Sequence, residues 1–292
     1  MVESVIEVRG LTRRFGKKSA LHDVSLTIPR GSVFGLVGEN GAGKTTLLKH
    51  LLGLLRAEIG SVRVFGRDPV ADPVGVLGRI GCLSEDRDLP DWMRIDELMR
   101  YNQAFYPTWD EDYADELRRE FALDSRQRVS TLSRGQRARA GLLMALAHRP
   151  DILVLDEPSS GLDPVVRQEI LGAIVRTVAD EGRTVLFSSH LLDEVERVAD
   201  HVAMLHEGRL MACDSLDQIR RQHHRFIIRF DQPQDSSPQL PGALSCCGAG
   251  QEWTVLCNGG SEELVQAVLA RGATIVDEAS PSLEEIFVSR VS

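Results

Sequence analysis

Three short apolar runs, each ending at polar residues, dominate the hydropathy pattern of the chain. They lie within the β-prone segments 32–37, 152–155 and 184–189. Unbroken apolar runs of this length are typical of strands that are buried on both faces of a parallel sheet. Leucines at helical spacing follow the first run, and helical segments alternate with strand segments further along. The pattern predicts an α/β fold whose parallel strands are joined by crossover helices.

Two regions depart from this alternation, and the first lies near the N-terminus. Strand and turn signals alternate over residues 4–30, with strands predicted at 5–9 and 25–28. Residues 61–65 are a further strand candidate of the same kind. Because strands joined by short turns pair antiparallel, we expect a small antiparallel β subdomain beside the core.

The second such region, residues 86–149, is rich in helix signals. We predict one amphipathic helix over 91–106, which Pro107 ends, and a second over 109–123 with an apolar residue at every fourth position. A third helix is predicted over 133–148. These segments form a predicted helical subdomain inserted into the α/β core.

The C-terminal part is predicted to be a small module of its own. Residues 231–242 are rich in proline, glutamine, serine and glycine, which is typical of a loop or linker. Strand and helix candidates around it follow a β-β-α-β order, at 226–230, 253–257, 262–271 and 274–276. The sequence therefore divides into a large domain at 4–222, with its helical subdomain at about 86–149, and a small α/β accessory domain at 223–292.

A glycine-rich motif follows the first apolar run. It is Gly38-Glu39-Asn40-Gly41-Ala42-Gly43-Lys44-Thr45-Thr46, which fits the pattern G-x-x-x-x-G-K-[ST] between a strand and a helix. Glycines allow backbone N–H groups to turn inward, and the helix N-terminus adds the positive end of its dipole. Lys44 can reach the β- and γ-phosphates of a nucleotide, and the Thr45 hydroxyl suits Mg²⁺. The motif predicts a nucleotide phosphate site.

The other two apolar runs end in residues that suit phosphoryl transfer. Asp156 and Glu157 follow the second run, at the sheet edge where ligands of open α/β sheets bind. Asp156 can hold Mg²⁺ through water, and Glu157 is the candidate to polarise the attacking water. His190 follows the third run and is placed to hydrogen-bond the γ-phosphate and to orient Glu157.

Together these motifs resemble those of the nucleotide-binding subunits of ABC transporters, over about residues 4–222. The resemblance implies a P-loop NTPase fold of the ABC ATPase type, with a mixed-sheet core, an antiparallel β subdomain and a helical subdomain. It makes residues 38–46 the Walker A loop, Asp156 and Glu157 the Walker B pair, and His190 the switch histidine. Phe15 corresponds to the aromatic residue that stacks on adenine.

The remaining family motifs imply that the active unit is a dimer. Leu132-Ser133-Arg134-Gly135-Gln136 corresponds to the signature LSGGQ, and Ser160-Gly161-Leu162-Asp163 to the D-loop. In the family, two subunits sandwich two ATP molecules, each between the Walker A loop of one subunit and the signature of the other. ATP then holds the dimer together and hydrolysis releases it.

Two positions depart from the family pattern. Arg134 replaces a glycine of the signature, and since arginine disfavours positive φ, we expect a right-handed or extended backbone there. Its guanidinium either aids phosphate binding across the dimer interface or points into solvent. Glu85 stands at the Q-loop glutamine position, where a carboxylate can ligate Mg²⁺ or water but adds negative charge near the phosphates. We expect the hydrolysis rate, rather than the fold, to depend on this departure.

The resemblance also implies a membrane partner. The helical subdomain and the Q-loop would form a groove for a short helix of a separate transmembrane permease, with Trp92, Met93, Tyr101, Phe105 and Tyr106 as candidate lining residues. Residues 281–288 are similar to the closing segment of ATPase subunits from multidrug-type exporters. The expected function is ATP hydrolysis that drives export of an unknown substrate. A soluble ABC ATPase acting on ribosomes or DNA, and an importer subunit, are the alternatives.

Composition sets limits on these readings. No run approaches the ~18 apolar residues of a membrane-spanning helix, and the N-terminus lacks the features of a signal peptide. We therefore expect a cytoplasmic protein, peripheral on the cytoplasmic face of the cell membrane. The net charge of −9 argues against nucleic acid as a partner. The five cysteines form no C-x-x-C pattern, which favours reduced thiols.

Overall fold

A computed structural model describes residues 3–179, 182–259 and 261–291. Two compact units make up the chain, Met1–Cys213 and Asp214–Ser292. The boundary between them in the sequence, after Cys213, comes earlier than residue 222, which the sequence analysis predicts as the end of the large domain. The short helix at Leu216–Gln222 belongs to the second unit.

The large unit begins with an antiparallel sheet and continues into an α/β core. Its elements in chain order are β1 (Ser4–Phe15), β2 (Lys18–Pro29), β3 (Val33–Val37), α1 (Lys44–Leu51), β4 (Ile59–Val64), α2 (Pro73–Leu77), β5 (Ile80–Leu83), α3 (Ile95–Gln103), α4 (Glu111–Glu120), α5 (Arg134–Leu146), β6 (Ile152–Leu155), α6 (Pro164–Ala179), β7 (Thr184–Ser189), α7 (Leu192–Val198), β8 (His201–His206) and β9 (Arg209–Ser215). A short 3₁₀ helix, Val129–Thr131, precedes α5.

Two sheets organise this unit. The strand order of the larger sheet is β5-β6-β7-β3-β8-β9, and the pairs β5–β6, β6–β7, β3–β7 and β3–β8 are parallel. Every residue of β3, β6 and β7 is buried, as their unbroken apolar sequences predict. The smaller sheet has the order β2-β1-β4 with antiparallel pairing, which confirms the expected antiparallel subdomain.

The first two predicted helices of the helical subdomain are shorter than their apolar patterns suggest. The helix expected over 91–106 begins only at Ile95, because the Ile95 N–H donates to Gln127 O at 3.1 Å and the Glu97 side chain caps the N–H of Arg94. The helix expected over 109–123 begins after Asp110, whose carboxylate accepts the N–H of Tyr113 at 2.9 Å. Local capping, rather than periodicity, sets both starts.

The second unit is a three-stranded antiparallel sheet with helices. Its elements are α8 (Leu216–Gln222), β10 (His223–Gln234), β11 (Ala243–Asn258), α9 (Ser261–Ala270), β12 (Ala273–Ala279) and α10 (Leu283–Val291), and the strand order is β11-β10-β12. The linker predicted over 231–242 is only partly a linker, because β10 runs on to Gln234. The strand expected over 253–257 is the end of the much longer β11. A register shift between Arg229 and Gln234 lets β10 continue through this polar stretch.

The aromatic residues expected to line a partner groove divide into two groups. Trp92, Tyr101 and Phe105 are 68%, 48% and 62% exposed. Met93 is buried, so the expectation that it lines an open groove is wrong. Tyr106 is half-buried because its ring stacks on that of His148, with centroids 3.8 Å apart. Within the described residues, no helix has the length and apolar character needed to cross a membrane.

Candidate functional site

The order of the parallel strands brings the three polar sequence signals to one edge of the sheet. Because β6, β7 and β3 are consecutive neighbours and parallel, their carboxyl ends point the same way. The phosphate loop follows β3, the Asp156–Glu157 pair follows β6, and His190 follows β7. Residues distant in sequence therefore meet at one site.

The phosphate loop closes tightly around the Lys44 side chain. Gly43 has φ 110°, and a Cβ at this position would lie 2.5 Å from the Ala20 carbonyl oxygen, so no larger residue fits there. Lys44 is 5% exposed, and its ammonium donates to Gly38 O at 2.6 Å and to Glu39 O at 3.3 Å. The loop thus positions one buried cation, the charge that phosphate oxygens require.

Glu157 links this cation to the histidine. Its Oε1 lies 3.0 Å from Lys44 Nζ, an ion pair without hydrogen-bond alignment, since the same oxygen makes no hydrogen bond. Its Oε2 lies 2.7 Å from His190 Nδ1. The Glu157 side chain is 4% exposed, and its backbone has φ 47°, an unusual conformation for a non-glycine residue. The carboxylate is therefore held between two positively polarised groups.

Ser188 is a site residue that the sequence reasoning missed. Its hydroxyl accepts the N–H of Glu157 at 2.8 Å and donates to Asp156 Oδ1 at 2.6 Å. It therefore fixes both members of the acidic pair. The available signal was the hydroxyl itself, which lies near the end of a buried strand and needs a hydrogen-bond partner there.

A cavity of about 430 Å³ opens over this cluster. Its lining combines most of the expected nucleotide contacts with two residues of β2, Lys18 and Ala20, that were not expected. The expected residues in the lining are Phe15, Glu39, Asn40, Gly41, Gly43, Lys44, Thr45, Thr46, Glu85 and Glu157. Phe15 is 48% exposed, with the Arg13 guanidinium 4.8 Å from its ring centroid. A half-exposed ring beside a phosphate cradle suits a nucleotide base.

Some expected contacts lie outside this lining. Ala42 borders a neighbouring cavity instead, and Gly38 is buried beneath the loop, where a Cβ would lie 2.2 Å from Leu205 O. His190 reaches the cavity through Glu157.

The residues predicted to hold Mg²⁺ share a second, smaller cavity. Thr45, Glu85 and Asp156 all line a space of about 160 Å³. Their hydroxyl and carboxylate oxygens are the hard donors that Mg²⁺ prefers. Within the described residues, no group of three or more His, Cys, Asp or Glu side chains is arranged to hold a metal. In proteins, Mg²⁺ usually takes part of its coordination from substrate phosphates and water beside one or two carboxylates.

Cys82 borders the same small cavity but does not suit metal binding. The Cys82 residue is partly exposed to solvent, yet protein atoms surround its thiol on most sides. This burial, helped by the negative charge of Asp156, raises the pKa of Cys82 to about 12. The thiol therefore stays protonated, and only the thiolate is a good metal ligand.

The signature forms the N-terminus of α5, away from the cavity that holds Lys44. Ser133 accepts the N–H of Gln136 at 3.2 Å, and Gln136 Oε1 accepts the N–H of Ser133 at 3.0 Å, a reciprocal capping box. Arg134 is the first helical residue, so its backbone takes the right-handed one of the two expected conformations, and its side chain is exposed. Gly135 is partly buried against α6. None of these four residues lines the Lys44 cavity in the described part of the chain.

The expected D-loop residue Asp163 likewise lies outside the cavity lining. It is exposed, and its Oδ1 accepts the N–H groups of Val165 and Val166 at 3.0 and 3.1 Å, with Pro164 as the next residue. Asp163 therefore caps α6 in the way that the Asp-Pro pair predicts.

Comparisons with known proteins agree with this geometry. The sequence profile described as "ABC transporter" matches residues 21–160. The ABC transporter ATP-binding protein YtrB of Bacillus subtilis (strain 168) is 28% identical over 286 residues, which cover 98% of each chain. The daunorubicin resistance ATP-binding protein DrrA3 of Streptomyces coeruleorubidus is 36% identical, over 76% of this chain and 72% of that relative.

Solved structures of ATP-binding subunits share this fold. A solved ATP-binding subunit of an ABC transporter superposes with a TM-score of 0.69 and is 29% identical, covering 75% of this chain and 93% of that structure. Fold, phosphate loop and sequence similarity lead to one conclusion. The chain belongs to the ATP-binding proteins of ABC transporters and is an ATPase of that family.

Proposed function

We propose that this chain hydrolyses ATP in a head-to-tail dimer and thereby drives export of a substrate through a separate transmembrane permease. One observation supports the proposed dimer. Lys44 and Glu157 line one cavity, and His190 bonds to Glu157. Ser133 and Arg134, in contrast, are exposed at a helix start that does not line this cavity. Helix starts attract anions, so a second subunit can place its signature over the phosphates. Each site then needs two chains.

Within such a site, each side chain has a distinct task. Lys44 binds the β- and γ-phosphates, and the N–H groups of residues 38–46 surround them. Glu157 accepts a proton from the attacking water, while His190 holds the Glu157 carboxylate and contacts the γ-phosphate. Thr45, Asp156 and Glu85 would hold Mg²⁺, which supplies charge neutralisation at the phosphates when bound. Phe15 stacks on the adenine.

A mixing experiment tests whether the site is shared between subunits. Lys44→Ala removes the phosphate-binding cation, and Ser133→Asp places a carboxylate where the γ-phosphate should dock while keeping a good helix N-cap. Each variant alone is expected to be inactive. In a 1:1 mixture half of the dimers are mixed, and each has one intact site of two, so about a quarter of wild-type hydrolysis should return.

The control for this experiment is Ser133→Asn, which also caps a helix but carries no charge. It should retain much more activity by itself than Ser133→Asp. If the site were complete within one chain, mixing the two inactive variants would restore nothing, and the head-to-tail proposal would be wrong.

Export is supported by the relative whose name records daunorubicin resistance, because removal of a toxic compound from the cell confers resistance. The exposed Trp92, Tyr101 and Phe105 offer the permease an aromatic surface at the cytoplasmic face of the membrane. We expect loss of the chain to raise sensitivity to at least one antibiotic in a panel that includes daunorubicin. Unchanged sensitivity across the panel, with a growth defect only on limiting nutrients, would favour an importer.

A further inference from the structure

The buried side chain of Arg87 connects two segments that the sequence treats as separate. Arg87 follows Glu85 by two residues, is 7% exposed and has φ 50°. Its Nη2 donates to Pro158 O at 3.0 Å and to Ser160 O at 2.8 Å. Pro158 directly follows Glu157, and Ser160 is the first residue of the D-loop, so both carbonyls lie in the turn that joins Glu157 to the D-loop. One guanidinium nitrogen thus ties the Glu85 segment to the residues directly after the proposed base.

The surroundings of Arg87 do not favour its charge. Burial lowers the pKa of Arg87 from its ordinary value, and the nearby Arg134 guanidinium lowers it further, while Glu85 opposes both effects. Its Nε is buried without a hydrogen-bond partner. A buried charge with incomplete pairing is weak evidence for a stabilising role, which leaves the geometry of its hydrogen bonds as the feature to explain.

The same turn is held from its other side by Glu194 of α7. Ser159 Oγ donates to Glu194 Oε2 at 2.5 Å, and Ser189 Oγ donates to the same oxygen at 3.4 Å. Glu194 is 1% exposed, and Arg167 Nε lies 3.1 Å from its Oε1. Ser189 directly precedes His190. The turn after Glu157 is therefore fixed between the Glu85 segment and the His190 segment.

The signature approaches this turn as well. Arg134 Nη1 lies 3.5 Å from the place where a Cβ on Gly161 would be, and Gly161 has φ 68°. That distance is an ordinary van der Waals contact, so the positive φ, rather than crowding, favours glycine at 161. Arg134 is also close enough to Arg87 for their charges to repel. Arg87 thus lies among the three loops that contain Glu85, Glu157 and Arg134.

We propose that Arg87 is a positioning residue of the ATPase. By holding the carbonyls of Pro158 and Ser160, it fixes the turn that carries Glu157 into the D-loop relative to Glu85. A displacement of the Glu85 segment then moves the turn beside Glu157 with it. This inference rests on the proposed role of Glu157. In the proposal, Arg87 contacts neither ATP nor the attacking water and acts only through the turn.

The test separates positioning from binding and from folding. Arg87→Met keeps an apolar stem of similar length but removes both carbonyl bonds. We expect kcat for ATP to fall between about 10- and 100-fold, the effect of small misplacements in active sites, with KM for ATP within about twofold of wild type. Arg87→Lys, which retains a charged donor, should recover part of the loss. Arg176→Met, at a half-exposed pair with Glu120, is the control and should be neutral.

Hydrogen exchange decides the proposal independently of the dimer. In Arg87→Met, the amides of Ser160 and Leu162, which bond to Glu157 O and Ser159 O, should exchange faster, while β6 and β7 exchange as in wild type. Unchanged exchange in this turn would overturn the proposal, and so would a lowered Tm with wild-type kcat and KM. Failure of the mixed-variant experiment alone would instead contradict the shared site, so the two failures are distinguishable.

Discussion

Glu157→Gln is expected to lower the rate of ATP hydrolysis by about 10²- to 10⁴-fold, the range for removing a general base. Gln has nearly the same shape as Glu, so the backbone at position 157 can keep its φ of 47°. Its N–H can also keep the hydrogen bond to Ser188. Only the carboxylate charge and its proton-accepting ability are lost. Hydrolysis measured as phosphate release gives the size of the effect.

The same variant should bind ATP at least as tightly as wild type. Glu157 Oε1 lies 3.0 Å from Lys44 Nζ, so phosphate oxygens compete with it for that cation. A neutral amide competes less, and it does not repel phosphate oxygens. The proposed sandwich then persists, because hydrolysis no longer dissolves it. Light scattering after gel filtration in MgATP should show a dimer for Glu157→Gln and a monomer for wild type.

Glu120→Gln is the matched control, since Glu120 is half-exposed and paired only with Arg176 among the contacts described. It should hydrolyse ATP at the wild-type rate. Hydrolysis by Glu157→Gln at the wild-type rate would show that another group activates the water. If Glu157→Gln loses hydrolysis as expected but forms no dimer, the result would instead count against the ATP sandwich.

Lys44→Ala is expected to weaken ATP binding by about 10- to 150-fold, which corresponds to the ~1.5–3 kcal/mol of a hydrogen bond to a charged group. The loss should be at the upper end of that range. Lys44 is almost fully buried, and its removal leaves the Glu157 carboxylate with His190 as its remaining partner beside the phosphates. Titration calorimetry with ATP measures the change.

A double variant separates the two parts of this loss. If repulsion from Glu157 contributes, Lys44→Ala combined with Glu157→Gln should bind ATP more tightly than Lys44→Ala alone. Lys17→Ala serves as the control, because Lys17 is exposed in the turn between β1 and β2 and lies outside the cavity lining. Wild-type affinity in Lys44→Ala would contradict the assignment of this cavity to nucleotide phosphates.

The helical subdomain shows where sequence patterns mislead. The apolar stripe over 91–106 correctly marks a helix, yet the helix occupies only Ile95–Gln103, because the chain at 125–127 takes the first N–H groups. Similarly, polar residues over 231–242 suggest a linker, although β10 continues to Gln234 beside β11. In both regions a partner distant in sequence decides the hydrogen bonding.

The network behind the site was even less accessible from sequence. Ser188, Glu194 and Arg87 are ordinary polar residues in sequence, with no motif spacing to mark them. Their roles become visible only in the folded chain, where β6 pairs with β7. There, Arg87 and Glu194 both hydrogen-bond to the turn after Glu157. Burial then makes each hydrogen bond obligatory.

Sequence patterns were sufficient to predict the phosphate loop, the acidic pair after β6 and the family resemblance. These depend on local geometry, since glycine spacing shapes one loop and short apolar runs make buried strands. The three-dimensional fold was needed to show that Glu157 contacts both Lys44 and His190 and that the signature does not line their cavity. Those contacts follow from strand order, which joins residues far apart in sequence and which no local pattern contains.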